Sequence, residues 1–427
     1  MRTLEIRGRV LLPGDPGFDE ARRPWNLAVE QPVAAVVEAA DAADVAALVR
    51  HARASGLTVT TQPSGHGATG RTDGTILLRT GRLDGLRIDP SARTARAEAG
   101  VTWGRVQAAA APHGLTGLPG SSPVVSVTGY TLGGGLSWFG RAHGWAADSV
   151  TAFDIVDADG VPRRVTPADA DLFWALRGGG GDFAIVTAVE FALHPAPALF
   201  GGRVMWSADR LPEVVAAYRE LTATAPDHLT AWLDVLHFPG SAPLVAVDAT
   251  VLGDAGDLLR PLDAVPGPVS DGRRSMSPSE LGAITAEPTD PGAGLSRGEL
   301  LTDLDDVAVK TLLADPIAPL MSLQIRHLGG AFARPSDSPH GPLTEPYSLY
   351  LFGVPTDPGS SAAITAKQHA LADALGPRLS GRKPFTYLNP AETAADAFAP
   401  AALDRLRDIK RAHDPHGVFR SNFPVLP

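Results

Sequence analysis

At 427 residues, with 44% hydrophobic and 20% charged side chains, the chain is too long for one small core and has the composition of a globular protein of two domains, or of one large domain with a second layered onto it. Its 37 basic and 47 acidic residues give a net charge of −10, which argues against nucleic acid or an anionic membrane as partner and for a small molecule, neutral or locally complemented. The absence of cysteine excludes disulfides, thiolate catalysis, cysteine-ligated zinc and iron–sulfur clusters together.

Arg2, Glu5 and Arg7 place charges where a signal peptide needs an apolar core, and no later segment reaches about 18 uninterrupted apolar residues. A cytoplasmic location is therefore expected. From about Pro32 to Pro195 the pattern alternates strand and helix. Asp41 is placed to cap a helix whose apolar positions Val45, Leu48, Val49 and Ala52 share a face, and Gly56 is placed to end it. The β-rich stretch Leu57 to Thr61 runs into Pro63-Ser64-Gly65-His66-Gly67-Ala68. Glycines on both sides of one histidine expose backbone N–H groups and let a planar or phosphorylated ligand approach closely.

A strand over Thr75 to Arg79, a strand over Thr94 to Ala99 and a helix from Trp103 to Ala111, stopped by Gly114, are expected next. The run from Gly120 to Gly135 is expected to avoid helix, because its glycines and Pro123 are costly there. Its small side chains and exposed backbone suit a diphosphate. It matches neither the phosphate loop ending in Gly-Lys-Ser/Thr nor a strand–Gly-x-Gly-x-x-Gly–helix unit, so nicotinamide binding by that route is disfavoured.

Composition shifts near Pro195 to Gly202, a candidate domain boundary. A helix bearing Leu211, Val214, Val215, Tyr218 and Leu221 on one face is expected to pack on a sheet that includes Trp232 to Phe238 and Leu244 to Leu252. Pro266 to Gly298 reads as irregular connection, Arg326 to Ala331 and Tyr347 to Val354 as strands, and Ala362 to Leu375 as a helix ending at Gly376. The tail holds Tyr387-Leu388-Asn389, a helix near Leu403 to Ala412 and the turn Asp414 to Gly417. Alternate residues of an extended strand share a face, so Tyr387 and Asn389 are expected to look into one pocket. Further polar candidates are Asp234, His237, Gln324, Arg326, His327, Tyr347 and Tyr350, with Arg326 and His327 on opposite faces. His113, His143, His413 and His416 read as structural, and no set of side chains has metal-ligand spacing.

The ordered set of Pro63 to Gly67, Gly120 to Gly135, Gly140 to Asp148, Asp171 to Phe183, Tyr387 to Asn389 and Asp414 to Phe419 resembles the berberine-bridge-enzyme-like FAD-linked oxidases of the vanillyl-alcohol-oxidase, PCMH-type superfamily, in their bacterial form. The resemblance implies an α+β protein: a PCMH-type FAD-binding domain of two α/β subdomains over 1–198, a substrate domain with an antiparallel sheet covered by helices over 199–380, and a segment, 381–427, returning to the FAD domain. It implies that FAD is held by Ser64, Gly65, His66, Gly67, Ala68, Thr80, Gly120, Ser121, Ser122, Val125, Gly129, Gly133, Gly134, Gly135, Gly140, Gly144, Asp148, Gly181, Phe183, Ile185 and Val186. His66 takes the position bonded to the flavin 8α-methyl. Ser122 stands where many members have a second, cysteinyl link, and serine cannot form that thioether. Val125 resembles the small gate residue of members that admit dioxygen.

Tyr387 and Asn389 are the implied catalytic pair. A phenol near a positively polarised site serves as general base while hydride leaves for the flavin. Asp182, where asparagine is frequent in relatives, must find a hydrogen-bond donor. The implied function is an FAD-dependent oxidase that takes hydride from a small molecule (an amine, an alcohol or a specialised-metabolism intermediate) and returns hydrogen peroxide from dioxygen, as a monomer or homodimer. A flavin dehydrogenase or redox-neutral enzyme, and a flavin-binding protein without turnover, are the alternatives.

Overall fold

The computed structural model describes residues 1, 4–196 and 198–426, so Arg2 and Thr3 of the N-terminal reading lie outside the described residues. The first layer is a four-stranded sheet in the spatial order Arg9–Leu11, Ala35–Glu38, Ile76–Arg79, Val59–Thr61. The last three strands run parallel, joined through the helix Ala42–Ala54. That helix starts where Asp41 accepts N–H bonds from Ala43 and Asp44, and it buries Val45, Leu48, Val49 and Ala52. Gly56, at φ +62°, follows its end.

A second, antiparallel sheet orders Leu86–Asp89, Thr94–Glu98, Ile185–Ala192, Val150–Val156 and Pro162–Val165. Its core takes in Trp103, Phe153, Trp174 and Phe183, and also Phe385, Leu403, Leu406, Phe423 and Val425 from the C-terminal segment. The tail therefore shares a core with the N-terminal half.

The remaining strands form an antiparallel sheet in the order Ser270–Asp271, Leu199–Ser207, Leu244–Leu252, Leu229–Leu236, Ser322–His327, Tyr347–Gly353, Leu295–Leu301, with Arg274–Ser275 also pairing with Leu199–Ser207. One face is apolar: Val204, Leu233, Val247, Ile325 and Leu349 pack with the helices Leu211–Ala223, Asp306–Leu313 and Pro358–Leu375. The molecule is thus α+β, and the opposite, polar face of this sheet turns toward the N-terminal half, where Trp232 stacks on Trp138 at 3.5 Å between ring centroids.

Four expectations are corrected. Val127–Leu132 is helical: Ser126 caps it by accepting from the Gly129 N–H, Pro123 lies upstream of the cap, and only Gly129 falls inside. Leu295–Leu301 is a strand, paired along its whole length with Tyr347–Gly353, because cross-strand pairing overrides the poor propensity of Gly298. The strand expected over Arg326 to Ala331 is Ser322–His327 and stops before Gly329 and Gly330, at φ +81° and +57°. Phe385–Tyr387 is one 3₁₀ turn, so Tyr387 and Asn389 do not sit two apart on a strand.

Candidate functional site

The first part of the site is built at the carboxyl ends of two adjacent parallel strands, where Gln62 follows Val59–Thr61 and Thr80 follows Ile76–Arg79. The loop after Gln62 turns at Gly65, φ +84°, where an added Cβ would stand 3.0 Å from Pro24. Ala68 is buried and closes the loop through its N–H to the Gly65 carbonyl. His66 stacks on Trp25 at 4.3 Å and 15°, and one ring nitrogen lies 2.8 Å from Ser64 Oγ. Its other ring nitrogen is buried with no partner, and burial holds the imidazole down at about 4, so it is neutral at physiological pH. Gly67 leaves room beside the ring, its nearest neighbour being Asn422 Nδ2 at 3.7 Å from an added Cβ.

The second part is the segment 120–148. Gly120, Ser121 and Ser122 line a crevice against Pro278 and Leu281. Val125 packs at the margin of the core, and its carbonyl accepts the Trp103 N–H. An added Cβ at Gly129 would meet open space. Gly134 and Gly135, at φ +94° and +80°, are required by protein neighbours: His340 and Trp145 crowd the first, Tyr130 and Ala146 the second. The Gly133 carbonyl faces His340 Nε2 at 3.2 Å, and Phe332 fills the space over Gly140. Gly144 abuts Asp148, whose carboxylate accepts from Ser336 Oγ and is raised by burial. The expected cradle is in these places packed by side chains of the chain itself.

The Gly178-to-Phe183 segment ends in a buried carboxylate. Asp182 accepts N–H bonds from Ser421 and Val425, each at 2.7 Å, so the donor that its charge demanded comes from the C-terminal tail. Lys410 Nζ donates to the Asp182 and Phe419 carbonyls and to Asp414. The pinned tail carries Asn422, whose side-chain oxygen accepts from Gln62 and whose carbonyl accepts from Thr69, onto the His66 loop. Gly181 is clear of all but Leu132, while Phe183, Ile185 and Val186 spend their side chains in the two N-terminal cores.

The third part is the polar face of the eight-stranded sheet. Cross-strand register places Arg203 beside Asp248, Asp248 beside Trp232, Trp232 beside Arg326, and Gln324 beside both Asp234 and Tyr350. The Arg326 guanidinium lies 4.0 Å over Trp232, 5.6 Å from the Tyr350 ring and 5.7 Å from the Tyr387 ring. Burial, with the Asp248 charge adding, pushes the Asp234 carboxyl up to about 7. As the alternation required, His327 points the other way, toward Arg141 and Tyr347, and Tyr347 bonds Thr222 among the helices. His237 lies beyond the end of Leu229–Leu236 and joins the sheet only through its backbone.

Tyr387 is held against this face. An added Cβ on Gly298 would come 2.6 Å from the Tyr387 Cβ, which is the close approach that glycine in that strand permits. Lys383 bridges Glu299 and Glu392, and Glu392 accepts the Asn389 N–H, so the segment around Tyr387 is tied to the sheet edge. Asn389 turns its side-chain oxygen to the Ala391 N–H in a local turn, away from the shared strand face expected for it. Trp25, Gln62, Thr128, Tyr130, Gly298, Lys383 and Asn422 are among the contributors that sequence reasoning passed over. Only Tyr130 carried a signal, an aromatic set between the glycines of the 120–135 run.

Buried polar atoms without a protein partner gather in these parts: Gln62 Oε1, a His66 ring nitrogen, Thr80 Oγ1, Thr128 Oγ1 and the hydroxyls of Tyr130 and Tyr387. Folded proteins rarely leave such groups unpaired. An elongated, polar ligand with a planar end, such as FAD, fits this set: Gln62, His66 and Thr80 at one place, Thr128 and Tyr130 at a second, Tyr387 at a third. Among the described residues no group of three or more histidine, aspartate or glutamate side chains is placed to hold a metal ion, and no helix is long and apolar enough to cross a membrane.

Residues 33–166 match the family model described as an FAD binding domain. Over 99% of this chain and 98% of the relative, the sequence is 28% identical to the (R)-6-hydroxynicotine oxidase of Paenarthrobacter nicotinovorans. The solved 6-hydroxy-D-nicotine oxidase of Arthrobacter nicotinovorans superposes with a TM-score of 0.86 at 26% identity, covering 98% of each chain. The berberine-bridge-enzyme-like protein 1 of the moss Physcomitrella patens shares the fold, with a TM-score of 0.87 at 18% identity over 99% of this chain and 97% of that one.

Proposed function

Because this chain belongs to the berberine-bridge-enzyme-like FAD-dependent oxidoreductases, acting on small molecules, we propose that His66 carries the flavin covalently, that Tyr387 is the general base with Asn389 beside it, and that dioxygen is the electron acceptor. The division into an FAD-binding unit, 1–198, a substrate unit, 199–380, and a returning segment, 381–427, belongs to the same reading. Bound FAD supplies the electron-accepting chemistry, taking a hydride from substrate carbon and being reoxidised by dioxygen to give hydrogen peroxide.

The observation that carries the reading is the state of His66. A neutral imidazole clamped between Trp25 and Ser64 has one nitrogen free of any partner, and in the tautomer whose other N–H donates to Ser64 Oγ that nitrogen holds the lone pair that attack on an electrophilic methyl carbon requires. Ser122 offers only a hydroxyl, which leaves a single tether. Tyr387 presents a buried hydroxyl with no protein partner, and the Arg326 guanidinium lies 5.7 Å from its ring. To act as base Tyr387 first gives up its own proton, and its phenolate oxygen then takes the substrate proton while Gly298 and the Lys383 bridge keep the ring in place. Val125 is a short side chain at the margin of the core, as a gate open to dioxygen needs, and reoxidation by air that took minutes in stopped flow would remove that role.

The test is acid denaturation with an intact mass. Wild-type protein is expected to gain the mass of one FAD and to precipitate yellow, and His66→Ala to release its flavin into the supernatant. A His66→Ala protein that kept covalent flavin would refute the tether.

A further inference from the structure

The polar face of the substrate sheet carries two arginines and two buried aspartates, and their hydrogen bonds are unequally shared. Asp248 gives both oxygens to Arg203, at 2.6 and 2.7 Å. Asp234 accepts from Ser322 Oγ at 2.6 Å through one oxygen and from Arg203 and Gln324, each at 3.3 Å, through the other. The acceptors on this face are thus engaged, and both carboxylates accept from Arg203. Glu287, the remaining acid whose charge reaches Arg203, Asp248 and Tyr350, is exposed.

Arg326 is treated differently. Its guanidinium is stacked on Trp232, itself stacked on Trp138, and its Nε is fixed by Gln324 Oε1 at 2.5 Å. Gln324 is fixed in turn by Asp234. The stack and the bond hold the plane and rotation of the guanidinium, while its two terminal nitrogens have no hydrogen-bond partner and no ion pair among the described residues. Two further unpaired groups able to donate, the hydroxyls of Tyr130 and Tyr387, are buried close enough to feel its charge or ring-stack on it. Spent acceptors, free donors and an oriented cation without an ion-pair partner, beside aromatic walls, describe a receptor for an oxyanion on a planar molecule.

Resting on the oxidase reading above, we propose that Arg326 anchors the substrate and that the substrate is a small aromatic carboxylate, its carboxylate on the terminal nitrogens of Arg326 and its reacting carbon turned toward Tyr387. Arg326 holds and orients. With the guanidinium carbon 5.7 Å from the Tyr387 ring, only a few bonds can separate the acid group from the carbon that is oxidised. The aromatic part lies against Tyr350 and Tyr387, whose ring centroids are 5.6 Å apart.

Isothermal titration of the purified holoenzyme with benzoate, benzamide and benzylamine tests this without turnover. Benzoate is expected to bind, benzamide at least tenfold more weakly, and benzylamine not at all. Arg326→Gln is expected to weaken benzoate at least tenfold, and Arg326→Lys, which keeps the charge and loses the fork, to recover part of that loss. Benzamide or benzylamine binding as tightly as benzoate, no heat with benzoate, or Arg326→Gln retaining the wild-type affinity would each overturn the assignment. The wild-type series decides the matter even if Arg326→Gln fails to fold. Flavin content is read by absorbance on the same samples: flavin-loaded protein that ignores benzoate removes this site alone, whereas protein that binds benzoate and holds no flavin removes the oxidase reading and leaves the site.

Discussion

Replacing Asp182 by asparagine strikes the joint between the C-terminal tail and the His66 loop. The side chain is 1% exposed, and its two oxygens each accept a main-chain N–H, from Ser421 and Val425. Asparagine keeps one acceptor oxygen and turns its NH₂ toward the other N–H, so one buried donor goes unpaired. That group costs about 1–3 kcal/mol, and the bond that remains loses its charge assistance, adding about 1 kcal/mol. The expected loss is about 2–4 kcal/mol in all. Because the tail delivers Asn422 to Gln62 and Thr69, the loop carrying His66 should loosen with it. Urea unfolding of the flavin-loaded enzyme, followed by far-ultraviolet circular dichroism and by flavin fluorescence, should show a lower midpoint for Asp182→Asn, with the flavin signal changing first. A loss of unfolding free energy smaller than about 0.5 kcal/mol would refute the account of Asp182 as the anchor of the tail.

Tyr387→Phe is expected to slow flavin reduction by about 10²- to 10⁴-fold, beyond any loss of ligand affinity that follows from the missing hydroxyl. Gly298→Ala, which drives a methyl into the Tyr387 Cβ, should slow the same step with full flavin loading; unchanged rapid-mixing rates for either variant would remove Tyr387 from the reaction. Burial lowers His194 and His340 to about 4 and His327 to about 3. The unfolded chain binds those protons near pH 6.5 while the native state stays neutral, so stability is full above that pH and falls as the pH drops toward 4. Each histidine should remove about 1–2 kcal/mol between pH 8 and pH 5. Equal urea midpoints at the two pH values would contradict this.

Local chemistry made a good part of the molecule legible in the sequence. Asp41 caps its helix and Gly56 ends it because both signals act within a few residues. Alternation alone separated Arg326 from His327, since a strand allows each only one face. The glycines around His66 marked a tight turn, which Gly65 makes at φ +84°, and Ser122 ruled out a thioether by its chemistry. The helix at 127–132 was hidden by counting glycines across sixteen positions when the cap and the single internal glycine decide a six-residue helix. Pairing partners far away in the chain were beyond reach of local rules. Asp182 finds its donors at Ser421 and Val425, Trp25 meets His66 across the N-terminal unit, and the strand holding Gly298 exists because Tyr347–Gly353 pairs with it. The sequence by itself determined what chemistry each side chain can offer: a histidine set between glycines at 66, a serine in place of a thiol at 122, a phenol near the tail at 387. Only the tertiary structure decided that Arg203 takes the carboxylates on the polar face of the eight-stranded sheet while Arg326 is left without one, because that depends on cross-strand register, and register is settled when whole faces of the sheet are buried together.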